Sequence, residues 1–141
     1  MTKEELFKLM NEHPVMHLAT VDQDGFPRVR GILMFKACDD GIIFHTGAFK
    51  DLYKQLMANP NSEVCFQCGA VQIRVCGKFE LDQSDELFEE IYSHPSRAFI
   101  KQWGKSKEEV KDFLKIFKMK HGKAYTWSMA DNFKPKEFID L

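Results

Sequence analysis

Residues 15–47 hold three strand-like runs separated by only two short breaks, and no other feature narrows the fold as much. "VMHLATVD" is rich in β-branched and apolar residues, and "DQDG" follows it, with Gly25 placed to take a positive φ. "FPRVRGILMFKAC" is a longer strand, "DDG" a second turn, and "IIFHT" a third strand. Turns this short join neighbouring antiparallel strands, so the segment is expected to be a meander.

The flanking segments fit around that meander. Leu6, Leu9 and Met10 recur at helical spacing, which predicts a helix over 3–12 with Thr2 as N-cap and a stop at His13-Pro14. Leu52, Leu56 and Met57 predict a helix over about 49–58, ended by Asn59-Pro60. "SEVCFQC" and "AVQIRVCGKFEL" are two further strands joined near Gly69. A helix opening at Asp82 or Ser84 carries Leu87, Phe88, Ile91 and Tyr92, and "SRAFIKQWG" is a second short one. Val110, Phe113, Leu114 and Phe117 fall at i, i+3, i+4 and i+7, the stripe of another helix. "GKAYTWSMAD" is the sixth strand. Six strands joined locally, with helices inserted late, point to a mainly β fold with α: a small antiparallel barrel with peripheral helices. The 141 residues are expected to form a single domain.

Composition excludes several function classes. Twenty basic and 21 acidic residues give a net charge of −1, without the basic excess of a general nucleic-acid binder. No apolar run is long enough to span a membrane as a helix, and the charged, periodic N-terminus is unlike a signal peptide. A cytoplasmic location is the expectation. Cys38, Cys65, Cys68 and Cys76 are then free thiols and small buried hydrophobes. Cys65 and Cys68 form a C-x-x-C, but no second ligand pair accompanies it, and strand residues three apart face opposite ways. No metal site is expected. The histidines are scattered, and His17 and His45 are assigned structural roles; Trp103 and Trp127 are assigned to core packing.

No hydrolase or nucleotide-loop motif is present, so no catalytic side chain is named. Polar residues on the strands remain. Alternation puts Arg28 and Arg30 on one face with Ile32 and Met34, and Gln72 and Arg74 on one face of "VQIRVCG". A half-solvated strand accounts for either pattern alone. The junction "IIFHTGAFKDLYKQL" adds a strand end running into a helix start, where unpaired N–H groups and the helix dipole favour an anion. Gly47 lets the backbone come close, Thr46 offers a hydroxyl, and Lys50 lies in the first turn. Lys54 shares the helix face of Lys50. On these facts alone, solvated lysines are the better account of the pair.

The segments "MHLATVDQDGFPRVRGILMF", "IIFHTGAFKDLYKQLMANPNSEVCFQ" and "VQIRVCGKFEL", in this order over about residues 15–81, resemble the motifs of the pyridoxamine 5′-phosphate oxidase-like, FMN-binding split-barrel family. The resemblance implies a six-stranded antiparallel split β-barrel, a homodimer, and two FMN sites at the subunit interface. By position, Arg30 matches the strand arginine at the flavin and its phosphate, and Thr46 the strand-end threonine. Lys50 falls in the basic phosphate-binding segment, and Gln72 matches a glutamine reaching the flavin from the other subunit. Gly31, Ile32 and Leu33 would run along the isoalloxazine edge. Relatives often place a Ser-Arg-Lys-like run where this chain has Lys50-Asp51-Leu52, which leaves the place of Lys54 open. The family's true oxidases also carry a C-terminal segment rich in Arg, His and Trp, unlike "KPKEFIDL" here, so a different flavin-dependent oxidoreductase is expected. Its substrate is a small molecule and its electron donor one such as NAD(P)H. Alternatives on the same fold are a non-catalytic flavin store, or a relative that binds haem (through His17, His45 or His121) or a deazaflavin.

Overall fold

The computed structural model of the protein describes residues 1–141. Its strands are β1 (Val15–Val21), β2 (Pro27–Leu33), β3 (Lys36–Cys38), β4 (Gly41–Gly47) and β5 (Asn61–Cys68) in the first half. β6 (Val71–Lys78), β7 (Glu80–Leu81), β8 (Leu114–Met119), β9 (Lys123–Trp127) and β10 (Ile139–Asp140) follow. They form two antiparallel sheets, one ordered β10-β9-β6-β5-β1-β2 and the other β3-β4-β8-β7. The helices are α1 (Lys3–Glu12), α2 (Asp51–Ala58), α3 (Asp85–Ser93) and α4 (Lys107–Phe113), with a 3-10 segment over Pro95–Trp103. No helix is long and apolar enough to cross a membrane.

The strands form the antiparallel sheets expected of a split barrel, but as ten strands in two sheets that do not close into one ladder, and two long runs expected to be single strands each divide between the sheets. The first breaks after Leu33. The Met34 N–H donates to the Pro14 carbonyl at 2.8 Å, whereas the Phe35 N–H donates to Ile43 at 2.8 Å. Consecutive residues therefore bond to different sheets. The second run breaks at Phe79, whose N–H reaches Pro60 at 3.0 Å, while Asp82 donates to Ile116 at 2.8 Å in the other sheet. A strand that switches sheets makes a corner of a two-sheet core. The meander thus survives as two hairpins, β1–β2 and β3–β4, with the corner between them.

The stripe from Val110 to Phe117 is also divided. α4 ends at Phe113, and Leu114 begins β8, which pairs with β4 from Gly47↔Leu114 to Ile42↔Met119. A fully buried strand has apolar residues on both faces, so its short apolar run imitates a helical stripe. Leu114 and Ile116 face one core, and Phe117 and Met119 the other. The first core lies between the sheets under α1 and α2, and includes Met16, Leu18, Phe44, Phe66 and Phe117. The second lies outside the smaller sheet, where Ile43, Leu114 and Ile116 meet Leu87, Phe88 and Ile91 of α3. β4 is covered on both faces, which explains its unbroken "IIF".

Several smaller expectations change. Gly25 does take a positive φ, 83°, in the first turn. Of the cysteines only Cys68 is buried, and Cys76 is exposed. Cys65 pairs with His17 and Arg74 across the outer face of the larger sheet, opposite to Cys68. His17 is exposed on that outer face. Neither tryptophan is core: Trp103 is 37% exposed, and the Trp127 indole N–H donates to Asn132 at 3.1 Å.

Candidate functional site

β2 is the edge strand of the larger sheet, and the end of β4 and the start of α2 come up beside its inner face. Between them lies an open groove of about 1130 Å³, lined by Arg28, Arg30, Thr46, Lys50, Lys54 and Gln55 among others. That is just above the roughly 300–1,000 Å³ of enclosed small-molecule pockets, so a cofactor has room to enter. Of the expected residues, Arg30, Gly31, Ile32, Thr46, Lys50 and Lys54 line it, whereas Leu33, Gly47 and Gln72 do not.

Four of the lining residues are basic and three acidic, but the acids do not neutralise the bases evenly. Asp22 accepts from Arg28 at 2.8 Å and also caps its own turn, taking the N–H groups of Asp24 and Phe26. The Arg28 bond holds the Asp22 carboxyl below its usual range. Arg30, Lys50 and Lys54 enter no ion pair. Three cations are left facing one groove, which is the electrostatics of an anion site.

Arg30 is held by neutral groups. Its Nη1 donates to Thr20 Oγ1 at 2.8 Å and its Nη2 to Gln55 Oε1 at 2.7 Å. The Thr20 hydroxyl in turn donates to Gln55 Oε1 at 2.6 Å. Partial burial pulls the Arg30 pKa down, and the field of Asp51 opposes that. Thr20 and Gln55 orient the arginine, and sequence reasoning missed both. Gln55 sits one position past Lys54 on α2, a placement visible only once β1, β2 and α2 are packed together.

Thr46 is 7% exposed and its hydroxyl has no protein partner, although it lines the groove. Lys50 is the N-cap of α2 rather than a first-turn residue, and it caps no N–H. Thr2, Ser84 and Ser106 cap α1, α3 and α4 through their hydroxyls. The first N–H groups of α2 are therefore left for a ligand or water. Asp51 opens α2 and suits its dipole. Gly47 serves Phe49, since a Cβ there would come within 2.6 Å of that ring. Gly31 is open: a Cβ on it would meet nothing within 4 Å.

Gln72 is on the opposite side of the larger sheet. Its neighbours are Gln67, which accepts from it at 3.1 Å, and Arg74, which donates to it at 2.6 Å. β6 lies three strands from β2, roughly 14 Å away at normal strand spacing. One chain cannot bring Gln72 to its own groove.

Fold and site together define a two-sheet antiparallel protein with an open, cationic groove at the corner between strand and helix. The chain belongs to the pyridoxamine 5′-phosphate oxidase family, whose model matches residues 2–128. A curated relative, the pyridoxine/pyridoxamine 5′-phosphate oxidase of Rhodopseudomonas palustris, is 29% identical over 102 residues, covering 71% of this chain and 48% of that protein. The chain thus spans about half the length of the curated relatives it matches. Among solved structures, a NimC/NimA family protein from Clostridium acetobutylicum superposes with a TM-score of 0.78 at 21% identity, covering 98% of this chain and 92% of that one. A pyridoxamine 5′-phosphate oxidase-related, FMN-binding protein from Nostoc punctiforme has a TM-score of 0.60 at 14% identity, covering 99% and 95%. A haem-binding protein from Mycobacterium smegmatis has a TM-score of 0.71 at 13% identity, covering 97% of this chain and 57% of that one.

Proposed function

We propose that the groove binds FMN and that the protein is a flavin-dependent oxidoreductase acting on a small molecule, with a donor such as NAD(P)H. The observation that carries this is the cluster of Arg30, Lys50 and Lys54, unpaired, around the unpartnered Thr46 hydroxyl and the side-chain-free start of α2. A phosphate monoester satisfies all of these together. When bound, FMN supplies hydride or electron transfer, and the chain's task is to hold and orient it. Lys50, Thr46 and the α2 N–H groups hold the phosphate. Arg30, fixed by Thr20 and Gln55, would bridge toward the ring, and the backbone of Gly31 and Ile32 would run along the ring edge. The FMN-binding relative from Nostoc supports the cofactor.

The same reading makes the protein a homodimer. Gln72 reaches a flavin only from a second copy, and the outer face of the larger sheet exposes Val15 at 56%, Val29 at 70% and Leu33 at 46%. We place it in the reducing cytoplasm, where its four cysteines remain thiols.

Haem is the second reading, favoured by the Mycobacterium smegmatis structure. No histidine lines the groove, and His45 is engaged elsewhere, so this groove offers haem no imidazole. The absorption spectrum of the purified protein separates the readings: an oxidised-flavin band supports FMN, and a Soret band supports haem. A store would hold flavin without turnover, whereas an oxidoreductase is bleached by NADH or NADPH and recolours with an acceptor.

The direct test compares FMN with riboflavin, which lacks the phosphate. Lys50→Ala should weaken FMN and leave riboflavin nearly unchanged. Arg30→Ala should cost about 2–3 kcal/mol of FMN binding, the value of a charge-assisted contact. Equal losses for the two ligands in Lys50→Ala would remove Lys50 from the phosphate site, and a wild type that retains no FMN would sink the proposal.

A further inference from the structure

Arg97 is the one charged side chain buried in the molecule, at 3% exposure, and no carboxylate pairs with it. Its Nε donates to His45 Nε2 at 2.9 Å and its Nη1 to Ser96 Oγ at 3.0 Å. Its Nη2 donates twice, to the Leu33 carbonyl at 3.2 Å and the Met34 carbonyl at 3.0 Å. Its guanidinium carbon lies 5.4 Å from the centre of the Phe35 ring. Every acceptor is neutral, including His45, whose pKa burial and the arginine itself depress to about 4.

A buried charge with only neutral partners is expensive. Fold stability alone would be served as well by a neutral residue that met the same carbonyls. The location suggests another use. Leu33 and Met34 form the corner where the chain leaves the larger sheet, directly after the groove-lining Gly31 and Ile32. Arg97 arrives there from a separate element, at a kink in the 3-10 segment where its φ is −114° and its ψ 19°. Its charge thus meets the two carbonyls that directly follow the backbone that, in the reading above, runs along the flavin ring.

We infer that Arg97 is a positioning residue for the flavin: through the Leu33 and Met34 carbonyls it fixes the end of the ring-edge backbone and sets a full positive charge there, favouring the reduced cofactor. The inference rests on the FMN reading. A hydride from NAD(P)H adds two electrons and one proton, so the bound flavin gains one negative charge and the donor leaves as its oxidised cation. A fixed positive charge stabilises that product more than the oxidised flavin.

The test measures the two-electron reduction potential of FMN-loaded wild type, Arg97→Met, Arg97→Gln and Arg97→Lys by equilibration with a redox dye, with circular dichroism as a check of folding. The neutral variants should bind reduced flavin about tenfold more weakly relative to oxidised flavin, a fall of about 30 mV. Arg97→Lys, which keeps the charge but not the fork of hydrogen bonds, should recover most of that fall. A purely structural arginine would weaken both redox forms alike and leave the potential where it was. An unchanged potential in either folded neutral variant therefore overturns the inference. So does a result in which both neutral variants fail to fold while Arg97→Lys folds with an altered potential. Failure of the wild type to bind FMN would count against the FMN reading instead.

Discussion

At the residue scale, His45 shows how tertiary surroundings reassign a side chain. It accepts from Arg97 through Nε2, so the neutral ring carries its proton on Nδ1, and that nitrogen is buried without a partner. The Phe99 and Trp103 rings lie 6.2 and 6.1 Å away and cover it. Burial and the Arg97 charge lower its pKa from 6.5 to about 4. Unfolded His45 takes up a proton near pH 6.5, whereas the folded protein resists doing so until about 4. Its contribution to stability is whole above pH 6.5 and is lost as the pH falls toward 4, by roughly 3 kcal/mol. His45→Gln keeps an acceptor for Arg97 and removes the titration. Urea unfolding from pH 7 to pH 4 should therefore show a shallower loss in the variant, and parallel curves would refute the assignment. Sequence marked His45 only as a histidine at a strand end, because nothing local encodes the arginine 52 residues away.

At the element scale, the two corners and β8 depended on non-local pairing. The 26–38 run is continuous in local pattern, and its break after Leu33 follows from competition between the carbonyls of Pro14 and Ile43. The run through Leu114 is apolar at both helical and strand spacing, and β4 decides the outcome by needing a partner on its free edge. Phe117 is fully buried and stacks on Phe44 at 5.7 Å between ring centres, while Phe113 is only half-buried at the end of α4. Phe117→Ala should cost about 3–5 kcal/mol in chemical denaturation. Phe113→Ala should cost much less, whereas a continuous helical stripe would make the two losses similar. By contrast, α1 was legible end to end, from Thr2 as N-cap to its stop at His13-Pro14; the structure adds the Glu5 carboxylate, which takes the Thr2 N–H while Thr2 accepts from the Glu5 N–H, a capping box.

At the scale of the whole molecule, the larger sheet has two unlike faces. Its inner face is packed with Met16, Leu18, Phe66 and Ile73, and its outer face leaves Val15, Val29 and Leu33 in the open beside His17, Gln72 and Arg74. An apolar patch along an edge strand is characteristic of an interaction surface. With a second copy on that face, Val29→Asp should convert a dimer to a monomer in sedimentation and lose FMN while keeping the monomer's fold. A dimer that persists in Val29→Asp, or a monomer that still retains FMN, would show that the cofactor site does not need this face.

Local chemistry along the chain decides the hairpins, the helix caps, the amphipathic faces and the spacing of Arg30, Thr46, Lys50 and Lys54, because each depends on residues a few positions apart. Tertiary packing decides the rest. It sets where a strand changes sheets, which polar neighbours hold Arg30, and why Gly47 makes room for Phe49. It places Gln72 on the far face and gives Arg97 its uncompensated charge at the corner. These depend on which backbone groups and buried volumes meet across long stretches of chain, and periodicity carries no record of that competition.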